Sequence, residues 1–262
     1  IRLSLVGSEM CIRDSNYIQT ATSLQVSAEA GVEKLTYERQ PVGNIGLGAT
    51  WLPGDKGTHY LNAYFRSGDQ EVMTADAVLT QKNGRDSVEV NTTFEHFPLS
   101  VANAFMPDQV VAFTGDIDGG LYISGAMEKP KLSGDLSLDS VSVYARQAGA
   151  RYWFDNRPLK IENNQLIFNK FAIYTTSRNP FTIDGNVDFR NMENPTAKLN
   201  LRAQNYTLLD APRTKESMIY GKIFVDLNAT VRGPLDGLTM RGNMNLLGNT
   251  DVTYVLTDSP LT

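Results

Sequence analysis

The sequence predicts an all-β fold, an elongated and curled β-sheet of the taco-like or β-solenoid kind, with one apolar inner face. Three observations carry that expectation. The first is an internal repeat: Gly125 to Gly134 and Gly233 to Gly242 span nine residues each, and each interval holds a proline. An alternating strand follows in both copies, Gly134-Asp-Leu-Ser-Leu138 and Gly242-Asn-Met-Asn-Leu246, continued by Val141 and Val143 in one and Val252 in the other. The second is period-two alternation of apolar and polar residues, which gives a strand one apolar and one polar face. The third is regular punctuation by glycine, proline and asparagine. A long repeat built of strands points to an extended β architecture rather than a compact enzyme.

The elements follow in order. Leu24, Val26 and Ala28 alternate with polar residues, as do Ile45, Leu47, Ala49 and Trp51. The turn Pro53-Gly-Asp-Lys-Gly57 leads into a strand at Tyr60–Arg66, and Val72–Leu79 reaches Asn83-Gly84, a two-residue hairpin signature. Val88, Val90, Thr92 and Phe94 form the next strand. Phe97–Asp108 breaks the pattern: Pro98 and Pro107 flank apolar spacing that suits two helical turns, so a short helix, or else a linker, is expected there. Strands resume at Gly115–Gly125, Lys131–Leu138, Val141–Arg146, Leu159–Glu162 and Gln165–Phe168. Phe181–Arg190, Ala197–Ala203, Gly221–Arg232, Leu238–Leu247 and Asp251–Leu256 complete the set, with Tyr206–Pro212 read as a loop and Lys215–Ser217 as exposed. Turns are expected at Lys129-Pro130, Asn163-Asn164, Asn194-Pro195 and Gly233-Pro234. On the count of strands alone, a sandwich, a barrel and a solenoid all remain open; the repeat favours the solenoid-like form.

Composition narrows the function classes. The 262 residues carry a net charge of −5 and are 41% hydrophobic, which suits a folded chain. No basic patch with interleaved aromatics occurs, so no nucleic-acid partner is expected. No apolar run approaches the ~20 residues of a membrane-spanning helix. The stretch Leu5–Ser15 resembles a translated sequencing adapter, so residues 1–15 are expected to be non-native. Cys11 lies inside it, which leaves no cysteine for disulfides, metal binding or nucleophilic catalysis in the remainder. The chain is then organised as an N-terminal β section at 16–96, a helix or linker at 97–112 and a repeated-strand section at 113–262 within a longer protein.

Catalytic residues are not expected. His59 and His96 are the two histidines, each near a strand end without a catalytic partner in sequence. No nucleophile elbow, metalloprotease helix or phosphate loop is present. Gly43-Asn-Ile-Gly-Leu-Gly48 sits inside a strand pattern with no helix after it, so it lacks the context of a nucleotide fingerprint. Asp116-Ile-Asp-Gly-Gly120 begins like a calcium loop, but Met127 stands where the closing glutamate belongs. No metal and no cofactor are expected. The chemistry lies in the apolar face: Ile117, Leu121, Ile123, Leu132, Leu136, Leu138, Ile223, Val225, Leu227, Val231, Met244 and Leu246. A weaker third copy of the repeat adds Val187, Phe189, Leu199 and Leu201. Such a face is either a closed core or an open groove for acyl chains. Exposing lipid to water costs ~0.8 kcal/mol per methylene, on the order of 11 kcal/mol for a chain of roughly fourteen, so a continuous trough would remove a large barrier to transfer.

A family resemblance favours the groove. Phe97-Pro-Leu99, Pro107-Asp-Gln-Val110, Phe113–Gly125 and Pro130–Leu138 resemble the TamB family of translocation and assembly module subunits. Leu166-Ile-Phe168, Phe181–Phe189, Ala197–Leu201 and Leu208-Leu-Asp210 extend the likeness, which covers roughly Thr22 to Leu256. The resemblance implies a non-enzymatic bridge-type lipid-transfer protein of the AsmA-like group, with a greasy β groove spanning the periplasm of a two-membrane bacterium. It also implies phospholipid acyl chains as ligands, an inner-membrane anchor, and an Omp85-type outer-membrane partner met through regions outside this chain. The alternatives are a structural or adhesive β-solenoid with a closed core and a fragment of an outer-membrane β-barrel. A barrel would band its aromatics in two girdles, and Tyr60, Tyr64, Phe94, Tyr144 and Phe154 fall into no such bands.

Overall fold

The structure is a computed structural model of the chain and describes residues 9–19, 24–37, 40–82, 85–105, 111–145, 149–176, 178–213 and 219–255. It is all-β. The strands are β1 (Glu9–Gln19), β2 (Leu24–Tyr37), β3 (Gln40–Pro53), β4 (Thr58–Ser67), β5 (Gln70–Lys82) and β6 (Arg85–Pro98). They continue as β7 (Val111–Ala126), β8 (Lys131–Ala145), β9 (Ala150–Phe154), β10 (Leu159–Glu162) and β11 (Gln165–Tyr174). β12 (Phe181–Asp188), β13 (Thr196–Ala211), β14 (Ile219–Pro234), β15 (Thr239–Leu246) and β16 (Asp251–Tyr254) follow. All sixteen are hydrogen-bonded into a single sheet in nearly sequential order, with β9 beside β8 and β11, and β16 beside β14. Sequential pairing is what period-two patterning and short turns dictate, because each hairpin aligns the apolar face of one strand with that of the next.

Contacts divide the chain into two compact units. The first comprises Ile1–Phe105, Asp116–Asp139 and Pro158–Gln165; the second comprises Met106–Gly115, Ser140–Arg157 and Leu166–Thr262. In the first unit, Asn164 fastens one hairpin to its neighbour. Its backbone N–H donates to Leu132 O, its Oδ1 accepts from Leu132 N and its Nδ2 donates to Pro130 O, all at 2.9 Å. Asn163 and Asn164 both have positive φ (49° and 63°), as the expected tight turn requires. In the second unit, Ala203, Tyr206 and Val225 form a buried cluster packed by Phe181, Ile223 and Leu227. Ala150, Leu209 and Ala211 form another, packed by Tyr152, Ile219 and Ile223.

A recurring device interrupts the strands. Along β2 and β3 the register shifts so that Glu33 and Lys34 stand opposite Asn44 alone, and Lys34 N donates to Asn44 Oδ1 at 2.8 Å. Along β6 and β7, Glu95 and His96 stand opposite Asp118, and His96 N donates to Asp118 Oδ1 at 2.8 Å. Along β13 and β14, Gln204 and Asn205 stand opposite Asp226, and Asn205 N donates to Asp226 Oδ1 at 2.7 Å. Lys170 N meets Asp184 Oδ1 in the same way at 2.8 Å. Each donor residue has a φ of 45–50°. The first three are β-bulges in which a carboxylate or amide on the next strand satisfies the N–H that the extra residue takes out of the ladder, and Lys170 shares their hydrogen bond and backbone conformation.

Several sequence expectations are corrected. The segment expected as two strands at Lys131–Leu138 and Val141–Arg146 is one strand, β8. Ser140, with a φ of 52°, lets the backbone pass through the polar Asp139-Ser140 step without a turn. Tyr206–Pro212 is not a loop: through Ala211 it is the second half of β13, and two register shifts, between Ala203 and Tyr206 and between Thr207 and Leu209, disguise its alternation. Gln165–Phe168 runs on to Tyr174, and Phe189 lies just past the end of β12. Leu99–Phe105 is helical but of the 3₁₀ type, as suits Ser100, Val101 and Asn103, which are weak α-helix formers. The repeat glycines also divide in role. Gly125 and Gly233 sit near hairpin exits with φ of 110° and 123°. Gly134 and Gly242 do not turn the chain; they lie within β8 and β15. Asn83-Gly84, Met106–Asp108 and Lys215–Ser217 lie outside the described residues.

Candidate functional site: the apolar sheet face

Register builds this face strand by strand, because paired residues in an antiparallel ladder project to the same side. In the second unit, one row runs Ile183–Leu201–Ala229–Gly242 across β12 to β15. The rows beside it are Phe181–Ala203–Leu227–Met244 and Gly185–Leu199–Val231–Met240. Every one of these side chains is apolar or absent. The intervening rows are polar: Thr182–Arg202–Asn228–Asn243 and Asp184–Asn200–Thr230–Arg241.

The first unit repeats the arrangement over six strands. Its apolar rows are Val26–Trp51–Leu61–Ala77–Val90–Ile123 and Ala30–Leu47–Phe65–Met73–Phe94–Gly119. Between them lies Ala28–Ala49–Ala63–Ala75–Thr92–Leu121. Phe65, Phe94 and Phe97 cluster with ring centroids 5.6–5.8 Å apart. The opposite face carries Ser27–Thr50–Asn62–Asp76–Asn91–Tyr122, with Ser27 Oγ and Thr50 Oγ1 3.1 Å apart and Asn62 Nδ2 donating to Asp76 Oδ1 at 2.7 Å. Arg66 pairs there with Glu71 at 2.8 Å and Glu29 at 3.4 Å and lies 4.6 Å from the Tyr64 ring centroid.

Exposure varies along the face. Val225 and Tyr206 are 2% exposed, whereas Met240, Met244 and Leu246 on β15 are 62%, 60% and 65% exposed. Leu47 and Leu61 of the first unit are exposed as well. Burial holds the Tyr206 phenol neutral far above its ordinary range, the charge on Tyr152 adds to the effect, and a hydrogen bond with Thr175 partly opposes it. Thr175 Oγ1 in turn donates to Thr207 O at 2.8 Å. Burial also raises the Tyr152 phenol, whose hydroxyl donates to Leu208 O at 2.9 Å.

The expected lining residues fall in both units. Ile117, Leu121, Ile123, Leu132, Leu136 and Leu138 lie on β7 and β8 of the first, Leu138 buried and the others half-buried. Leu136 pairs with Leu159 across β8 and β10. Val187, Leu199, Leu201, Ile223, Val225, Leu227, Val231, Met244 and Leu246 share one face of β12 to β15 in the second. Phe189 is outside that ladder. Sequence reasoning missed Phe181, Ile183 and Met240, whose alternation with chosen neighbours was available, and Tyr206 and Leu209, whose alternation the bulges conceal.

His59 stacks on Trp51 with centroids 5.5 Å apart, and its Nδ1 is buried with no hydrogen-bond partner among the described residues. His96 Nδ1 lies 3.3 Å from Asp118 Oδ2. Asp118 is therefore engaged by the β6 bulge. Among the described residues no group of three or more His, Cys, Asp or Glu side chains could hold a metal, and no helix is long and apolar enough to cross a membrane.

Compared with known protein families, residues 169–261 match the TamB C-terminal domain. No curated protein and no solved structure matches the chain. The family match runs from within β11 through β16 and so includes β12 to β15, the strands that form the apolar rows of the second unit.

Proposed function

From a chain whose residues 169–261 match the TamB C-terminal domain, we propose a segment of a TamB-type factor of outer-membrane assembly and lipid transport, whose apolar sheet face holds phospholipid acyl chains. The observation that carries this reading is the unbroken apolar face of β12 to β15 together with the exposure of Met240, Met244 and Leu246. Large exposed apolar areas are costly in water and mark a surface with an apolar ligand. A methylene moved onto such a surface gains ~0.8 kcal/mol, so a chain laid along several rows is held by many small contributions. Methionine suits the role, because its unbranched thioether adapts to acyl chains of varied shape.

The setting is the bacterial periplasm, with an inner-membrane anchor and an Omp85-type partner engaged through regions outside this chain. No step of the proposed function requires catalysis, a metal or a cofactor. The competing reading, a closed structural core, draws on the burial of Val225 and Tyr206. Photo-crosslinkers placed in cells at Leu136, Leu227 and Met244, with Ser137, Asn228 and Asn243 as polar-face controls, separate the two. Lipid adducts are expected from the first set only. Adducts at equal frequency from both sets, or from neither, overturn the groove.

A further inference from the structure

The polar face of the second unit carries a cleft of about 660 Å³, within the size range of small-ligand sites. It is lined by the polar row Thr182–Arg202–Asn228–Asn243, with Ala203 and Leu227 of the neighbouring apolar row at its border. The β13 bulge forms part of it: Gln204 and Asn205 together stand opposite Asp226, and Asp226 Oδ1 is committed to Asn205 N. Arg202, Gln204, Asn228, Asn243 and Asn245 line the same cleft and make no side-chain hydrogen bond to other described residues.

We propose that this cleft binds a neutral oligosaccharide. One guanidinium and one carboxylate, Arg202 and Asp226, leave the lining without net charge, which disfavours a polyanion or polycation. The remaining polar groups are mostly side-chain amides, each able to donate and accept. A ligand matching alternating donors and acceptors across a shallow surface must itself present many groups that do both, as vicinal hydroxyls and acetamido groups do. An extended peptide would instead seek the hydrogen-bonding edge of a strand. No aromatic ring lines the cleft, so stacking adds nothing and affinity is expected to be modest, with Kd of about 0.1–1 mM.

Titration of the full chain with chitohexaose, and separately with cellohexaose, tests the proposal by isothermal calorimetry. Saturable binding to at least one sugar is expected, weakened about fivefold or more by Arg202→Ala or Asn243→Ala. Both side chains are exposed, so circular dichroism should show each variant folded, and lipid crosslinking at Met244 should persist, which separates this site from the apolar face. No saturable binding of either sugar at millimolar concentration overturns the proposal, as does binding that both variants leave unchanged. A sulfated heparin hexasaccharide that binds more than about tenfold tighter than the neutral sugars would overturn the assignment to a neutral glycan.

Discussion

Gly134 and Gly242 show what one missing methyl group decides. A Cβ on Gly134 would run into Gly120 O and Leu121 Cα of β7, and one on Gly242 into Asn228 O and Ala229 of β14. Both obstacles are backbone or are held by backbone, so neither can swing away. Gly134→Ala is expected to destabilise the fold by about 2 kcal/mol or more, read as a lower urea midpoint. Gly68→Ala is the control: Gly68 has a φ of 64° but open space around its Cβ position, so only conformational strain of about 1–2 kcal/mol applies. Tyr206 supplies a different residue-scale test. Its phenol ionises at much higher pH in the folded chain than in the unfolded one, whose value is near 10. Above that pH the native state retains a proton the unfolded state has lost, so stability is intact below about pH 10 and falls as pH rises beyond it, by up to about 1.4 kcal/mol per pH unit. Tyr206→Phe should flatten that alkaline slope in denaturation curves taken above pH 10; an unchanged slope would mean that another tyrosine dominates.

At the scale of elements, turns and bulges are held by single polar side chains. Asn164→Gly keeps the positive φ but gives up the two side-chain bonds to Leu132 N and Pro130 O, for an expected loss of about 1–3 kcal/mol; Asn164→Ala adds backbone strain and should cost more. Asp184→Ala removes the acceptor for Lys170 N and should cost about 1 kcal/mol, with Asp184→Asn retaining most of it because an amide oxygen still accepts. Asn44 already performs that task with an amide at Lys34. Thermal melts of these variants check both orderings. The same elements show where sequence reading succeeds and where it stops. Alternation located Leu159–Glu162 to the residue, and the strand around Ile223 to Val231 with its inward set, because nothing there breaks the period. It failed at Tyr206–Pro212, where two extra residues shift the period twice over seven positions and the segment looks aperiodic. Asp118-Gly119 and Asp184-Gly185 lie inside strands as expected, but alternation does not show that each acid accepts from a positive-φ N–H on the neighbouring strand.

On the scale of the whole molecule, each unit presents an apolar and a polar face, and the functional reading rests on how differently the two respond to charge. Met244→Arg places a cation at a position already 60% exposed, so the melting temperature should shift by only a few degrees, roughly the effect of 1 kcal/mol or less, while lipid adducts collected at Leu227 fall sharply. Val225→Arg, at 2% exposure, should unfold the unit instead. If Met244→Arg leaves the adducts at full yield, the exposed end of the face is not part of a lipid path. The faces themselves were legible in sequence, since they follow from parity, but which stretches lie open was not, because exposure depends on what covers a row rather than on what composes it. The bulges bear on the history of such a chain. In β13, Ala203 and Tyr206 share the apolar side although an ordinary strand would set residues three apart on opposite sides. Deleting Asn205 would bring Gln204 next to Tyr206 and keep all other side chains on their present sides, whereas deleting Arg202 would invert every residue on one side of the gap. Bulges are thus the places where a long sheet can gain or lose single residues by insertion and deletion without exchanging its two surfaces.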